Sequence, residues 1–340
     1  MGINFSLAVV VALVLASFLG VRAAGLNYFF GVTMPYIAIF AFLGGVVFRI
    51  LKWARSPVPF CIPTTAGQQK SLSWIPHSKL DNPVTKTQVV GRMILEVLLF
   101  RSLFRNTKFE TQKGPKVFYQ WEKWLWFAGL AFHYCFLVIL IRHLRFFTEP
   151  VPFFVHDIER LDGIFQVGLP GIYITDLIFM ASVTYLLIRR LIIPQVRYIS
   201  LPQDFFPLFL LLAIGTTGIL TRYFIRVDLL KVKQLAMGLI SFKPVVPEGI
   251  GVVFFIHLFL VSVLFAYFPF SKLMHAGGIF LSPTRNLPND SRITRHVNPW
   301  NYPVKVHTYA QYEDHFREKM VEAGLPVEKE LDEAAVTAEH

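Results

Sequence analysis

The sequence predicts an all-α fold: a polytopic membrane helical bundle of six transmembrane helices, with a cytoplasmic loop and a C-terminal tail. Three observations carry that expectation. Of 340 residues, 54% are hydrophobic and only 16% charged, whereas an average soluble domain carries about 25% charged residues. Six stretches approach the roughly 20 mostly apolar residues that a hydrocarbon core requires of a helix. The 33 Lys and Arg residues are sorted to alternate sides of those stretches.

The stretches are Phe5–Val21, Met34–Leu51, Trp124–Leu144, Gly171–Ile193, Phe205–Ile225 and Gly251–Met274. The first resembles a signal peptide in length, but Met1–Leu7 carries no Lys or Arg, so it reads as a retained helix. Between spans two and three, Lys52–Lys123 is too long to be a mere connector. Within it, Gly91–Asn106 sets Met93, Ile94, Val97, Leu98 and Phe100 among Arg92, Arg101 and Arg105. That spacing suits an amphipathic helix on the inner leaflet, or a core helix of the loop itself. The tail from Ser282 to His340 begins rich in Pro, Asn and Arg and ends in the helix-prone segments Tyr309–Glu322 and Val327–Ala335. It shows no core of its own and reads as a docking arm for a partner or as a disordered segment. The chain therefore divides into two N-terminal helices (1–51), a cytoplasmic loop (52–123), a four-helix core (124–275) and a cytoplasmic tail (276–340).

Counted by side, 23 Lys and Arg fall in the loop after span two, the loop after span four and the tail, against 9 on the opposite side; Arg49 lies at the end of span two. The richer side is expected to be cytoplasmic, with both termini inside a prokaryotic inner membrane. The net charge of +11 is then membrane sidedness rather than nucleic-acid binding. Lys70, Lys79 and Arg92 are placed to meet lipid phosphates or a partner. The two cysteines, Cys61 and Cys135, lie 74 positions apart with no C-x-x-C pairing. That spacing excludes an iron–sulfur cluster or structural zinc held by this chain's own thiolates. A disulfide is not expected between an apolar helix and a basic loop.

Of ten histidines, His133, His143 and His257 fall inside apolar spans and His275 at the end of the last one. One intramembrane histidine is ordinarily a hydrogen-bonded packing residue. Two on each of two helices mark a functional site, because ionisable residues are costly there. Spans three and six run antiparallel, so His143 and His257 fall toward the outer leaflet and His133 and His275 toward the inner. A separation of 18 places His257 and His275 on one helical face, while a separation of 10 leaves His133 and His143 about 80° apart. Facing imidazoles are what a bis-histidine b-type haem needs, and facing helices of a bundle are where such cofactors sit. The rise is about 15 Å between the ligands of span three but about 27 Å on span six; tilt, or a kink at Pro269, has to absorb the difference. Spans three and six contain no Asp or Glu, which disfavours a dimetal site. Two alternatives stand beside the haem reading: a transporter relaying protons through histidines, and a structural anchor for an iron–sulfur subunit.

At these histidines the chain resembles the cytochrome b, or gamma, subunit of respiratory nitrate reductase. That family has five helices and two b haems, ligated through H-x9-H on its second helix and H-x17-H on its fifth. His133/His143 and His257/His275 reproduce both spacings, and an added N-terminal helix makes spans two to six the counterparts of the family's five. Outside the haem helices, Ser56–Thr65, Gly67–Leu72, Arg92–Asn106, Leu281–Asp290 and Asn298–Pro303 look like the DsrM-like branch, the membrane cytochrome b of the Dsr complex of dissimilatory sulfur metabolism.

The resemblance implies a menaquinone-reactive dihaem subunit of an oxidoreductase complex. It would exchange electrons with a cytoplasmic iron–sulfur partner similar to heterodisulfide reductase, joined by further membrane and periplasmic redox subunits. The outer haem would use His143 and His257 and the inner haem His133 and His275. Quinol oxidation needs a proton acceptor near its hydroxyls, and an outer pocket has Arg142, Arg145, His156, Asp157, Tyr173 and Asp176 to draw on, residues that serve equally as ordinary interfacial loop. The family's lysine near the start of the helix matching span four has no counterpart in Gly171–Ile193. The remaining histidines, His77, His296, His307, His315 and His340, read with His156 as surface or loop residues.

Overall fold

The computed structural model describes residues 2–58, 67–111, 117–294 and 303–329. Cys61, His296, His340, most of the Ser56–Thr65 and Asn298–Pro303 motifs, and the expected helix beyond residue 329 lie outside the described residues. The chain forms two compact units, 1–294 and 295–340.

The first unit is mostly helical. Helices α1 (Gly2–Arg22) and α2 (Met34–Ala54) are joined by a turn that ends in the π-helical Phe29–Thr33. The loop that follows contains α3 (Lys86–Leu99) and α4 (Arg101–Phe104), separated by Phe100 in the left-handed conformation at φ 49°. Thr85 caps α3 by accepting from the Gln88 amide. An antiparallel ladder of β1 (Thr107–Thr111) and β2 (Val117–Trp121) follows, with Thr107 opposite Trp121. These strands are not expected from the all-α pattern of the sequence. Then come α5 (Lys123–His143), α6 (Phe153–Ile164), the two-residue strands β3 (Gln166–Val167) and β4 (Ile172–Tyr173), and α7 (Ile174–Ile192). The short α8 (Pro194–Tyr198) leads to α9 (Pro202–Ile219), which runs on through a π-helical turn to Phe224. Helix α10 (Leu229–Ile240) lies in the next loop, capped by Asp228. Helix α11 (Val252–Tyr267) passes through a 3-10 turn at Phe268–Phe270 and gives way to α12 (His275–Gly278) and α13 (Pro283–Asn286).

Five segments among the described residues are long and apolar enough to cross a membrane: Gly2–Arg22, Phe29–Ala54, Lys123–Phe146, Pro202–Phe224 and Val252–Phe270. The fourth expected span, Gly171–Ile193, is not among the five; the helix α7 occupies most of it and packs on α5 and α9. It differs from the five in carrying Asp176, Arg189 and Arg190.

Two apolar clusters show how the bundle closes. Val10, Leu210, Ile214, Ile256 and Leu260 join α1, α9 and α11, and Cys135, Phe179, Val183 and Leu211 join α5, α7 and α9. Outside these clusters the helices present large apolar side chains outward, such as Phe40, Val47, Phe48 and Leu137, as a lipid-facing surface must. Close approach is arranged by glycine where it matters most: a Cβ on Gly45 of α2 would meet Pro269 at 2.7 Å. In the same place Arg49 Nε donates to the Pro269 carbonyl at 3.1 Å.

In the second unit, α14 (Tyr309–Glu322) forms over the expected span, with a capping box between Thr308 and Gln311. Glu313 is buried and accepts from the Glu328 and Lys329 amides.

Candidate functional site

Helices α5 and α11 both pack against neighbours, α5 on α7 and α11 on α9 and α2, rather than closely on each other. Histidines of α5 face His257 of α11 and His275, just beyond it, across the interval between them. His143 and His257 have ring centroids 6.4 Å apart and planes 21° from parallel. His133 and His275 have centroids 6.0 Å apart and planes crossing at 84°. The sequence-expected pairing is therefore the geometric one.

The route to it differs from the expected single helical face. The last span does not continue to His275. Pro269 has no amide hydrogen to give and its ring crowds the preceding turn, so α11 yields to the 3-10 turn, and Ser271 follows in extended conformation (φ −115°, ψ 179°). Ser271 then caps a new turn by accepting from the Leu273 amide at 3.1 Å. His275 opens α12, and the break takes up the excess rise that a continuous helix would have imposed.

All four rings are oriented alike. His133 Nδ1 lies 2.7 Å from the Gly129 carbonyl and His143 Nδ1 2.7 Å from the Ile139 carbonyl, each one turn back on α5. His275 Nδ1 lies 2.8 Å from the Lys272 carbonyl. His257 Nδ1 uses α9 instead, at 3.1 Å from the Ile214 carbonyl and 3.0 Å from Thr217 Oγ1. The Thr217 hydroxyl donates to the Ala213 carbonyl at 2.8 Å, so its oxygen accepts from the imidazole. A carbonyl can only accept, so Nδ1 carries the hydrogen in each ring and Nε2 keeps its lone pair. Imidazoles that ligate a metal through Nε2 are held in this way. The spacing agrees: bonds of about 2 Å from iron to each nitrogen, and roughly 1.1 Å from nitrogen to ring centre, put two axial imidazoles about 6 Å apart. Both pairs fit a bis-histidine iron.

The surroundings include residues that sequence reasoning missed. Phe100, at the turn between α3 and α4, stands edge-on to His133 with centroids 4.9 Å apart, and Phe132 flanks the same ring. Gly218 leaves room beside His257, where a Cβ would come 3.2 Å from Cε1. Only the helical spacing of Thr217 and Gly218 from the α9 core hinted at a shared face. Nothing local marks Phe100.

At the His143 end, five of the six quinone-site candidates separate into two groups, and the sixth, Asp157, belongs to neither. Arg142 is buried and donates to Asp162 Oδ2 at 2.6 Å and to Asp176. Thr175 donates to Asp162 at 2.6 Å and Tyr223 to Asp176 at 2.5 Å. Arg142 and Asp176 therefore belong to a buried ion-pair cluster tying α5, α6, α7 and α9 together. His156 and Tyr173 line a cavity of about 410 Å³ with Glu159, Arg160, Gly163 and Ile164. Arg145 reaches its edge through Glu159, at 2.5 Å, and Arg222 donates to the same carboxylate at 3.2 Å. The Arg142 and Arg222 guanidinium groups lie 4.9 and 4.6 Å from the Tyr173 ring centre. Asp157 is exposed and outside the lining. Glu159 and Tyr223 are the additions, and no motif in the sequence singled them out.

At the other end, Arg92 turns inward rather than toward lipid phosphates. It is buried and donates to the Asp81 carbonyl at 3.0 Å. Arg101 and Arg105 pair with the Asp81 carboxylate, and Arg285 pairs with Glu96. Burial opposes the Asp81 charge, but the hydrogen bonds from Arg101, Arg105 and Ser78 outweigh it and hold the carboxyl well below the usual carboxylate range. Asn289 donates to the Asn82 side chain at 2.7 Å, and its amide to the Pro83 carbonyl at 2.6 Å. Loop and early tail thus close on one another beside the His133/His275 pair.

Comparison with known proteins agrees with this frame. Residues 92–295 match the family of the nitrate reductase gamma subunit. A cytochrome b-like subunit of an Hdr-like menaquinol oxidoreductase from Archaeoglobus fulgidus is 46% identical over 279 residues, covering 80% of this chain and 83% of that protein. Its namesake from Archaeoglobus profundus is 43% identical over 275 residues, covering 79% and 81%. Both agree with the DsrM-like resemblance of loop and tail. The chain belongs to the nitrate reductase gamma subunit family.

Proposed function

We propose that the chain is the dihaem b-type cytochrome subunit of a membrane complex, exchanging electrons between menaquinol or menaquinone and a cytoplasmic iron–sulfur subunit similar to heterodisulfide reductase. His143 and His257 hold the outer haem and His133 and His275 the inner one. Six spans, α7 included, set both termini in the cytoplasm of a prokaryotic cell. The observation that carries the reading is the shared state of the four imidazoles: each Nδ1 is committed to a carbonyl, and each ring stands about one iron's width from its partner.

Haem bound at these sites supplies reversible one-electron transfer. The protein's own residues do the rest. The carbonyls fix ring orientation and raise the basicity of Nε2. The cavity lined by His156, Glu159 and Tyr173 receives the quinol head, with His156 as the proton acceptor that opens toward water. The Arg142–Asp162–Asp176 cluster holds α5 and α7 in place behind it. The relatives' printed names support the menaquinol and complex-subunit roles; the tie to sulfur metabolism rests on the DsrM-like loop and tail.

The test is spectroscopic. The purified, dithionite-reduced chain is expected to show a b-type α-band at two haems per chain. His143→Ala and His257→Ala should remove the same haem, and His133→Ala and His275→Ala the other. A chain without haem would leave a transporter or an anchor. Loss of a common haem in the His133 and His143 variants would contradict the pairing.

A further inference from the structure

Helix α3 is inside out for a surface helix. Its buried positions are Val89, Arg92 and Glu96, while from Gln88 to Leu99 the exposed positions are Val90, Ile94, Leu98 and Leu99. Val90, Ile94 and Leu98 recur every four residues and form one apolar stripe. The charged face is occupied by the Asp81, Arg285 and Ser102 contacts of the loop and tail. A helix lying flat at a membrane surface turns its charges to water and headgroups; here they are turned into the protein.

Depth is fixed by the partners of the helix end. The Leu99 carbonyl accepts from Trp126 Nε1 at 2.7 Å, and the Leu98 carbonyl from the Tyr134 hydroxyl at 3.0 Å. Phe100, at the apex, touches His133. Trp126, His133 and Tyr134 all lie within the membrane-length segment that starts at Lys123. Ten residues of helix carry His133 about 15 Å from Lys123, half of a hydrocarbon core of roughly 30 Å. The chain then returns: Leu103 approaches Gly129, Phe104 packs on Trp126, and the Glu122 amide donates to the Asn106 carbonyl at 3.3 Å beside the start of α5. It goes in and comes out on one side.

We propose that Lys86–Asn106 is a re-entrant hairpin that enters the bilayer from the side where α5 begins and turns at Phe100. Val90, Ile94, Leu98 and Leu99 lie against lipid acyl chains, continuing the apolar exterior that α5 presents through Phe127, Leu137 and Leu140. Two features fit that solvent. The terminal carbonyls of α3, which lipid cannot satisfy, are met by α5 side chains. Arg101 and Arg105 run their long side chains back to Asp81 rather than outward. The hairpin places protein over the His133 ring at mid-depth and leaves its polar underside joined to the tail.

Site-directed spin labelling of the full chain in lipid nanodiscs tests this without reference to haem. Cys61 is replaced by Ser, buried Cys135 is left, and single cysteines are placed at Lys86, Val90, Ile94 and Leu98. The ratio of oxygen to nickel-chelate accessibility should climb along the series and be several-fold higher at Leu98 than at Lys86. An impermeant maleimide should label Lys86→Cys but reach Leu98→Cys only after denaturation. High nickel accessibility at Leu98 would overturn the proposal in favour of a water-facing helix. Low accessibility to both reagents at Ile94 and Leu98 would overturn it in favour of a protein-covered face. If Leu98→Cys elutes from size exclusion unlike the parent, it is replaced by Leu99→Cys on the same turn.

Discussion

Each of the four imidazoles commits Nδ1 to a carbonyl, so the property left to tune is how strongly that hydrogen bond is made. His257 alone has a second acceptor, Thr217 Oγ1. Thr217→Val keeps the shape and removes that acceptor, so the imidazole becomes a poorer donor of charge to a bound metal. With haem at both sites as proposed, the one held by His143 and His257 should then rise in midpoint potential while the other stays put, as read by redox titration. Ring planes make a second prediction. Were haem iron held between them, crossed planes, as at His133/His275, would leave two of its orbitals nearly equal in energy, and near-parallel planes, as at His143/His257, would separate them. Frozen oxidised protein should therefore show one strongly anisotropic low-spin EPR signal and one ordinary rhombic signal, and His275→Ala should abolish the first. Arg142 is structural at this scale. Arg142→Met would leave two buried carboxylates facing each other, which should cost about 3–5 kcal/mol, measured as loss of thermal stability in detergent. The histidines were legible because ionisable residues inside apolar runs stand out. Thr217, Phe100 and Glu159 were not, since their roles depend on which helix or turn lies opposite.

Among the elements, the break after α11 decides the inner pair. The sequence showed Pro269 and the excess rise, but not that Ser271 would start a separate turn or that Gly45 would admit Pro269 so closely. Gly45→Leu should push α2 off that turn and shift His275, halving the α-band while the His143/His257 haem persists. The loop was legible as amphipathic and illegible in sense: its arginines face inward because Asp81, ahead of the helix, meets Arg92, Arg101 and Arg105. Asp81 gives the loop a pH dependence. Its pKa is lower folded than unfolded, so the stability it contributes is complete at neutral pH and is lost progressively as pH falls below about 4. Hydrogen exchange of the Lys86–Phe104 amides, corrected for intrinsic rate, should accelerate from about pH 4 to about pH 2. Asp81→Asn should remove most of that change and be faster throughout.

Across the whole membrane-embedded unit, alternation of the helices sends the starts of α1, α5 and α9 to the end that also receives the close of α2 and α11. Ser6 at the start of α1 donates to the Pro202 carbonyl at 2.9 Å, and Arg49 near the close of α2 to Pro269. Charge sorting could be read from the sequence without any tertiary contact, because it needs only the order of the spans and the positions of Lys and Arg. Impermeant labelling of right-side-out vesicles should reach a cysteine at Leu169 and not one at Leu72. The uninterrupted α5 also works as a gauge. With His133 and His143 ten residues apart on one unbroken helix, the interval between the two histidine pairs is fixed at a set number of turns. Inserting one residue between them would add about 1.5 Å and swing one ring by about 100°. The opposing pair, His257 and His275, is instead separated by the joint at Ser271. A one-residue insertion between Phe270 and Met274 should therefore leave the His143/His257 pair in place, whereas one between Tyr134 and Arg142 should turn one pair out of register with the other.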